Sequence, residues 1–168
     1  YPEIGALSDE DARVALRRPA QDMGADYSDD ALDQLVQLTH GYPYFLQQWG
    51  KQTWDVAPSS PIDVASVNTA SALALAALDA EFFRMRLERV SPLERRYLRA
   101  MAELGPGPQQ SKAITAVLGR SQNTMATVRA RLIDKGMLYS PAYGMTAFTV
   151  PMFDQFMKRI MPGDEWRP

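Results

Sequence analysis

The segment Ser91-Pro92-Leu93-Glu94 constrains the fold more than any other feature, because it combines three helix-start signals in four residues. Serine is a favoured N-cap, proline suits the first helical position, and glutamate at the third position closes a capping box. We expect the helix to end at the Gly-Pro-Gly-Pro run of 105–108. Four apolar residues at helical spacing supply its predicted buried face: Leu93, Tyr97, Leu98 and Met101.

The residues after this helix continue a helix-turn-helix pattern. A short helix is expected over 110–118, followed by a tight turn at Gly119-Arg120-Ser121. Ser121 is placed to cap a third helix, which should end at Gly136 because glycine readily adopts the left-handed conformation of a helix end. Helix, glycine turn and helix in this order predict a helix-turn-helix.

A β-hairpin and one more helix complete the second half of the chain. β-branched and aromatic residues at 137–140 and 145–150 flank a turn that contains proline and glycine, which predicts two short strands. A final helix is expected over 151–160. Three helices and a hairpin around a helix-turn-helix predict a winged helix over 91–161, with a tail at 162–168.

The first half of the chain reads as helices throughout. Ser8 is the expected cap of a helix that runs to Pro19, where a short second helix should begin, because proline is not tolerated in a helix interior. Gly24 should end that second helix. Ser28 is expected to cap the next helix, which Gly41 should end in the left-handed conformation.

Two more helices are predicted before residue 91. Pro43 opens one of them, and Asp63 caps a long alanine-rich helix that is expected to break or bend near 76–78. Phe82, Phe83, Met85 and Leu87 should then face inward. No strand is predicted before residue 137. The fold class is therefore mainly α: a helical domain at 1–75, a linking helix at 76–90 and the winged helix-turn-helix domain at 91–161.

Composition excludes several classes of site. The 168 residues contain no cysteine, which excludes disulfides, thiolate metal sites and cysteine nucleophiles. His40 is the single histidine, which excludes multi-histidine metal sites and argues against a Ser-His-Asp triad. No apolar run of about 18 residues and no secretion signal are present, so we expect a cytoplasmic protein without a membrane partner. The start at Tyr1, without a methionine, favours a piece of a longer protein.

Charge divides the chain into two parts. Residues 1–90 carry seven basic and fourteen acidic residues, whereas residues 91–160 carry ten basic and four acidic residues. This asymmetry predicts two modules, of which the second is attracted to a polyanion. Two alternatives remain open: the two parts attract each other, or the acidic part faces another domain.

The chain resembles a known family in four short motifs that occur in a fixed order. Segment 40–47, His-Gly-Tyr-Pro-Tyr-Phe-Leu-Gln, resembles the Gly-x-Pro signature that opens a lid helix in P-loop ATPases of the AAA+ and STAND kind. The likeness is strongest to origin-recognition-related ATP-binding proteins. Their acidic helix is similar to residues 7–12, their Leu-Ile-x-Lys-Gly motif to residues 132–136, and their aromatic-Thr-Val-Pro motif to residues 148–151.

This resemblance implies a lid and a winged helix whose nucleotide-binding domain lies upstream. The family uses its Gly-x-Pro turn against the base and ribose of ATP, which would assign Gly41, Tyr42 and Pro43 to cofactor contact. The alternative is a plain turn between helices. No arginine follows the glycine to sense the γ-phosphate, and the chain has no Gly-x-x-x-x-Gly-Lys-Ser/Thr loop to cradle phosphates. The chain alone should therefore have no ATPase activity and no catalytic residue.

The predicted helix after Ser121 has a face suited to DNA. Met125, Val128 and Leu132 share one side at 100° per residue, and small polar residues lie on the other. Asparagine can read adenine, threonine can touch a thymine methyl group, and arginine can contact guanine or phosphate. Lys112 and Arg129 are further phosphate anchors, although Arg129 lies toward the inner side, where internal pairing is the alternative. The predicted nucleic-acid-binding residues are Arg120, Gln122, Asn123, Thr124, Thr127, Arg131 and Tyr143.

Three functions are compatible with these features. The first is the C-terminal fragment of an ATP-dependent regulatory ATPase, with a lid that closes on nucleotide and a winged helix that binds double-stranded DNA. The second is a STAND-type signalling or scaffold ATPase whose winged helix contacts protein. The absence of arginine and lysine from the wing, which is the predicted hairpin at 137–150, favours this alternative. The third is a free-standing DNA-binding regulator. The sequence leaves the oligomeric state open.

Overall fold

The computed structural model describes residues 5–167 and divides the chain into two compact units. Unit 1 is Tyr1–Glu81 and unit 2 is Phe82–Pro168. The described residues are mainly helical, with one small antiparallel sheet of three strands. The mainly α fold class predicted from the sequence is thus confirmed, and the division falls within the segment 76–90 that was predicted to link two domains.

Four α-helices lie in the described part of unit 1. Ser8, Ser28 and Asp63 are N-caps whose side chains accept hydrogen bonds from backbone N–H groups in the first turn, as the sequence predicted. Pro43 takes the first position of its helix, again as predicted. The helices are α1 (Asp9–Asp22), α2 (Asp29–Thr39), α3 (Pro43–Val56) and α4 (Val64–Ala77).

Pro19 lies inside α1, and the expectation that a second helix begins there was wrong. Proline removes one backbone hydrogen bond from a helix, but buried side chains on both sides of it can hold the helix together. Leu16 and Ala20 are both buried and flank Pro19 on α1. The helix then ends as predicted before Gly24, whose φ of +79° suits glycine.

The core of unit 1 lies where α2 and α4 pack on α3. Phe45, Leu46 and Trp49 of α3 are buried, as are Leu32 and Leu35 of α2. The indole Nε1 of Trp49 donates to the Ser71 hydroxyl at 3.2 Å, so the polar edge of this large ring is satisfied. After Ala77 the helix changes to a π-helix, Leu78–Phe83, which agrees with the predicted break.

Unit 2 is built around the helix that begins after Ser91. The capping box is present, because the Ser91 N–H donates to Glu94 Oε2 at 2.7 Å and the Glu94 N–H donates to Ser91 Oγ at 3.4 Å. The helices of this unit are α5 (Arg84–Leu87), α6 (Pro92–Glu103), α7 (Ser111–Val117), α8 (Gln122–Asp134) and α9 (Phe153–Ile160).

The sheet adds a strand that the sequence analysis missed. β2 (Leu138–Tyr139) and β3 (Met145–Phe148) form the predicted hairpin, and β1 (Gln109–Gln110) pairs with the other edge of β3. The order is β1-β3-β2, with all pairs antiparallel. The expectation of no strand before residue 137 was therefore wrong, because two polar glutamines show no alternation and become a strand only by pairing with β3.

Two burial predictions were wrong, and one buried residue near the end of the chain was not predicted. Met85 is 63% exposed and Leu93 is 40% exposed, so neither faces inward as expected, although Phe82, Phe83 and Leu87 are buried. Trp166, in the segment assigned to a tail, is only 3% exposed, and the Arg99 guanidinium lies 4.6 Å from its ring centre. The segment before Pro168 is thus held on α6 by a cation–π contact.

No helix among residues 5–167 is long and apolar enough to cross a membrane.

Candidate nucleic-acid interface

The inner face of α8 fixes the orientation of this helix. Met125, Val128 and Leu132 are all buried, and α8 contacts both α6 and α7 through this side. The apolar stripe predicted from the sequence is therefore confirmed. Ser121 is the N-cap, with its hydroxyl accepting from the Thr124 N–H at 3.3 Å, so the first turn of α8 is held in place.

The outer face of α8 is open to solvent. Gln122 and Asn123 lie in its first turn, and Thr127 and Arg131 follow along the helix. The Thr124 hydroxyl lies 2.8 Å from Ser121 Oγ, so it takes part in the cap as well as facing solvent. All seven residues predicted from the sequence to contact nucleic acid are exposed: Arg120, Gln122, Asn123, Thr124, Thr127, Arg131 and Tyr143.

Several cations around α8 have no acidic partner. Lys112, Arg120 and Arg131 are exposed, and none of them forms an ion pair with a residue in the described range 5–167. Lys135 differs, because its Nζ lies 2.7 Å from Glu94 Oε2. Three unpaired cations near one exposed helix are the arrangement that attracts a polyanion.

The Lys135 ion pair stabilises the base of this helix. Burial alone would raise the pKa of Glu94, but the hydrogen bonds from Lys135 and Ser91 outweigh it, so the pKa of Glu94 lies below its ordinary value. Glu94 is therefore ionised at neutral pH and joins the start of α6 to the end of α8. This arrangement holds α8 without using the three exposed cations.

The wing is connected to α8 through Arg129. Its Nε donates to Thr146 Oγ1 at 2.7 Å, and its Nη2 donates to Ser140 Oγ and to the Met145 carbonyl, both at 2.9 Å. Arg129 is thus hydrogen-bonded internally through Nε and Nη2, whereas the sequence had left internal pairing and phosphate contact open as alternatives. Tyr143 is fully exposed at the tip of the wing, and no arginine or lysine lies between 137 and 150.

A contact between α7 and the wing was not predicted. The Ser111 N–H donates to the Gly144 carbonyl at 2.8 Å, and Ser111 Oγ lies 3.2 Å from Thr146 Oγ1. These bonds follow from the pairing of β1 with β3, which sequence patterns did not show. They bring the start of α7 and the turn of the wing together beside α8.

In unit 1, the Gly41-Tyr42-Pro43 turn joins α2 to α3. His40 and Gly41 both have positive φ, at 52° and 66°, and His40 is exposed at the end of α2. A Cβ on Gly41 would lie 2.6 Å from the Leu7 carbonyl oxygen, and the Leu7 N–H donates to the Gly41 carbonyl at 2.9 Å. The close approach that requires this glycine is therefore to the chain itself.

The rings beside this turn are partly covered. Tyr42 is half-buried, and its ring centre lies 4.9 Å from that of Phe45 in a tilted arrangement. Pro43 is also half-buried. Their accessible edges could contact a flat apolar ligand such as a base, whereas the turn offers no loop of backbone N–H groups or lysine for phosphates. Among the described residues, no group of three or more His, Asp or Glu could hold a metal ion.

Comparisons with known proteins give limited likenesses. A family model described as a domain of unknown function (DUF8462) matches residues 80–157, which is less than half of the chain. No curated protein matches the chain. Solved structures of RuvB from Thermotoga maritima, including its Holliday junction branch migration motor, are similar at 18% identity and a TM-score of 0.43 over 84% of this chain. A mutant of the same protein gives a TM-score of 0.44 over 85% of the chain. The chain spans 46% of the length of these structures.

Proposed function

We propose that unit 2 binds double-stranded DNA through α8 and the wing, within the C-terminal part of an ATP-dependent regulatory ATPase. The observation that carries the DNA proposal is the exposed polar face of α8 beside cations that lack acidic partners. Unit 2 as a whole has fourteen basic and seven acidic residues, so its net charge of +7 favours a polyanion.

Residues in the N-terminal half of α8 would contact the bases. Gln122 and Asn123 lie at the N-terminal end of the helix, which is the end that reaches base edges in helix-turn-helix complexes. Asparagine and glutamine can bind adenine through two hydrogen bonds, and the methyl group of Thr127 can contact thymine. Because these side chains are exposed and form no hydrogen bond within the described part of the chain, they are available to a groove.

Phosphate contacts would come from the flanking residues. Arg120 lies at the entrance to α8 and Arg131 near its end, so two cations bracket the proposed reading face. Tyr143 at the wing tip would lie along the backbone or in the adjacent minor groove. Phosphate contacts position a protein on the duplex and make its affinity depend on salt.

The nucleotide part of the proposal rests on the sequence resemblance. Residues 1–75 would act as the lid of an upstream P-loop domain, with Gly41, Tyr42 and Pro43 against the base and ribose of ATP, and residues 76–90 would link the lid to the winged helix. ATP would then be a cofactor of the complete protein only. We expect the 168 residues alone to show no ATPase activity and at best about millimolar ATP affinity in calorimetry. Micromolar ATP binding would contradict this assignment.

Fluorescence anisotropy with a labelled duplex, titrated at several salt concentrations, tests the DNA proposal. Wild-type protein should bind weakly, and its affinity should fall as salt rises. Arg120→Ala and Arg131→Ala should each reduce the slope of log K against log salt by about one unit. Asn123→Ala should instead relax preference at one base position, with a loss of about 1–3 kcal/mol there.

Arg96→Ala is the matched control, because Arg96 is also exposed in unit 2 but lies on α6. It should leave the preference among sequences unchanged and affect the salt slope less than Arg120→Ala. Absence of binding at low salt, or equal binding by the double variant Arg120→Ala/Arg131→Ala, would overturn the proposal.

A protein-contact role for the winged helix is the second candidate. The wing carries no arginine or lysine. It exposes two tyrosines, Tyr143 at its tip and Tyr139 at the end of β2. Aromatic surface without cations suits a protein partner better than a phosphate backbone. This candidate takes precedence if the anisotropy experiment detects no duplex binding.

A further inference from the structure

A cleft of about 450 Å³ lies between α8, the start of α7 and the turn of the wing, all within unit 2. We propose that this cleft binds a phosphate group and that Arg129 is the residue that contacts it. The phosphate would come either from the backbone of bound DNA or from a small phosphate ester. Only the first source rests on the proposed function.

The charge of Arg129 is not neutralised by the protein. Its three hydrogen bonds go to two hydroxyls and one carbonyl, all of them neutral. No residue in the range 5–167 forms an ion pair with it, and none accepts a hydrogen bond from its Nη1. The guanidinium is therefore held rigidly by one edge while the Nη1 donors remain for a ligand, and half-buried cations gain strongly from an anion.

The other lining of the cleft suits an anion as well. Ser111, Gln122 and Asn123 contribute hydroxyl and amide groups, and none of the described lining residues carries a carboxylate. These groups come from α7 and α8, so they surround the cleft on more than one side. Donors from several directions fit a tetrahedral phosphate better than a planar carboxylate.

Tyr97 lies at the base of this region. It lines the cleft, and its buried hydroxyl lies near the hydroxyls of Thr146 and Ser111 without forming a hydrogen bond of ordinary geometry to them. Burial raises the pKa of Tyr97, so the group stays protonated. Buried polar groups usually have a partner, and a partner missing from the protein is often supplied by a ligand or water.

The size of the cleft points to an ester rather than a bare ion. About 450 Å³ is within the range of small-molecule sites and exceeds the volume of one phosphate. Tyr143 and Met125 also line it and offer apolar contact to the group that carries the phosphate. A nucleotide unit of a DNA strand and a small phosphate ester both meet these conditions.

Inorganic phosphate is the probe for the site itself. The full chain is titrated with phosphate at constant ionic strength, and the ¹H–¹⁵N signals of the arginine Nε groups are followed by NMR. The Nε signal of Arg129 should shift and saturate, whereas the signal of Arg96 on α6 should not. No saturable shift at Arg129, or an equal shift at Arg96, would overturn the proposal.

A charge placed in the cleft tests the location without touching Arg129. Ala126 is exposed and lines the cleft, and Ala130 is exposed one turn later on α8 but does not line it. Ala126→Glu should weaken phosphate binding by about tenfold or more, because a like charge opposes the anion. The matched control Ala130→Glu should weaken it far less. Equal affinity in both variants would contradict the assignment.

Arg129→Lys keeps a cation but loses the planar fork, and it should weaken phosphate binding by a similar factor. Its thermal unfolding is measured alongside, because Arg129 also holds the wing. If that variant does not fold, the comparison of Ala126→Glu with Ala130→Glu decides the question.

An unlabelled duplex then separates the two sources of phosphate. If the backbone of DNA occupies the cleft, the duplex should shift the Arg129 signal and compete with inorganic phosphate. If a small ester is the ligand, the duplex should leave the Arg129 signal and the phosphate affinity unchanged. A wild-type chain that binds phosphate but no duplex would remove the proposed DNA function and leave the phosphate site standing.

Discussion

The two units of this protein use charge in opposite ways. Unit 1 contains thirteen acidic and four basic residues, a net charge of −9, whereas unit 2 has a net charge of +7. In unit 1, Arg13 and Arg17 lie in ion pairs with carboxylates on and before α2. Around α8 of unit 2, Arg120 and Arg131 have no acidic partner among the described residues.

This difference shows that the number of cations does not define a binding surface. Arg13 and Arg17 of unit 1 compensate a local excess of carboxylates, and Arg17 also holds the Tyr27 carbonyl through Nη2. Hydrogen bonds from Gln21 and Arg17 lower the pKa of Asp26, so this pairing persists at neutral pH. Lys112, Arg120 and Arg131 of unit 2 have no such role among the described residues, which leaves them available to a partner.

The largest expected effect tests whether the units are also separate in stability. Leu132 of α8 and Leu35 of α2 are both completely buried, so Leu132→Ala and Leu35→Ala should each lower the free energy of unfolding by about 2–5 kcal/mol. Tryptophan fluorescence during urea unfolding reports each unit, because Trp49 and Trp54 lie in unit 1 and Trp166 lies in unit 2. We expect each substitution to shift the transition of its own unit.

Two outcomes would contradict the separate unfolding of the units or the assignment of the buried face of α8. Equal shifts of both transitions by one substitution would mean that the units unfold together. Thr127→Ala is the control on the outer face of α8 and should change the free energy of unfolding by less than about 0.5 kcal/mol. A larger loss from Thr127→Ala than from Leu132→Ala would mean that the two faces of α8 are interchanged.

A smaller loss of stability is expected when a carboxylate loses its cationic partner, and it should be larger for a buried carboxylate than for more accessible ones. Lys135→Met removes the ion-pair partner of the buried Glu94 and should cost about 1–3 kcal/mol. Arg17→Met in unit 1 removes contacts to half-buried Asp26 and exposed Asp29 and should cost less than about 1 kcal/mol. Urea unfolding at pH 7 measures both, and a larger loss from Arg17→Met would contradict the comparison.

The effect of Lys135→Met should also depend on pH. The pKa of Glu94 is lower in the folded protein than in the unfolded chain, where it is about 4.3. The stabilisation by Glu94 is therefore present above pH 4.3 and is lost as the pH falls through the folded pKa. The difference between wild type and variant should shrink on acidification, and a constant difference down to about pH 3 would show that Glu94 is not the cause.

The smallest loss of stability is expected when a helix N-cap is removed in either unit. Ser28→Ala at α2 and Ser91→Ala at α6 each remove one side-chain acceptor for a backbone N–H and should cost about 0.5–2 kcal/mol. Thermal unfolding measures the loss, with Ser28→Asp and Ser91→Asp as controls that keep an acceptor at the cap. If the aspartate variants lose as much stability as the alanine variants, the serine hydroxyls do not act as caps.

The sequence predicted local features well and long-range contacts poorly. The caps at Ser8, Ser28 and Ser91 were predicted because N-cap chemistry lies within four residues of chain. The strand Gln109–Gln110 was not predicted, because it forms by pairing with β3 about 35 residues later. The same limit applied to Pro19, since only the burial of Leu16 and Ala20 shows why α1 continues through it.

The candidate site follows the same division. The exposure of Asn123, Thr127 and Arg131 could be predicted because a period of 3.6 residues places them opposite the buried stripe of α8. The cleft beside Arg129 could not be predicted, because it needs Ser111 beside the hairpin that carries Ser140 and Thr146. The hairpin itself was predicted, but no local signal in the sequence joins Ser111 to it.

The sequence by itself determined where helices begin, which face of α8 is apolar and how charge is divided along the chain, because each of these depends on neighbouring residues. Only the tertiary structure decided that Met85 and Leu93 are exposed, that Gly41 lies against Leu7 and that Arg129 bonds to the wing. The physical reason is that burial and hydrogen-bond partners depend on which distant segment packs nearby, and helical periodicity carries no information about that choice.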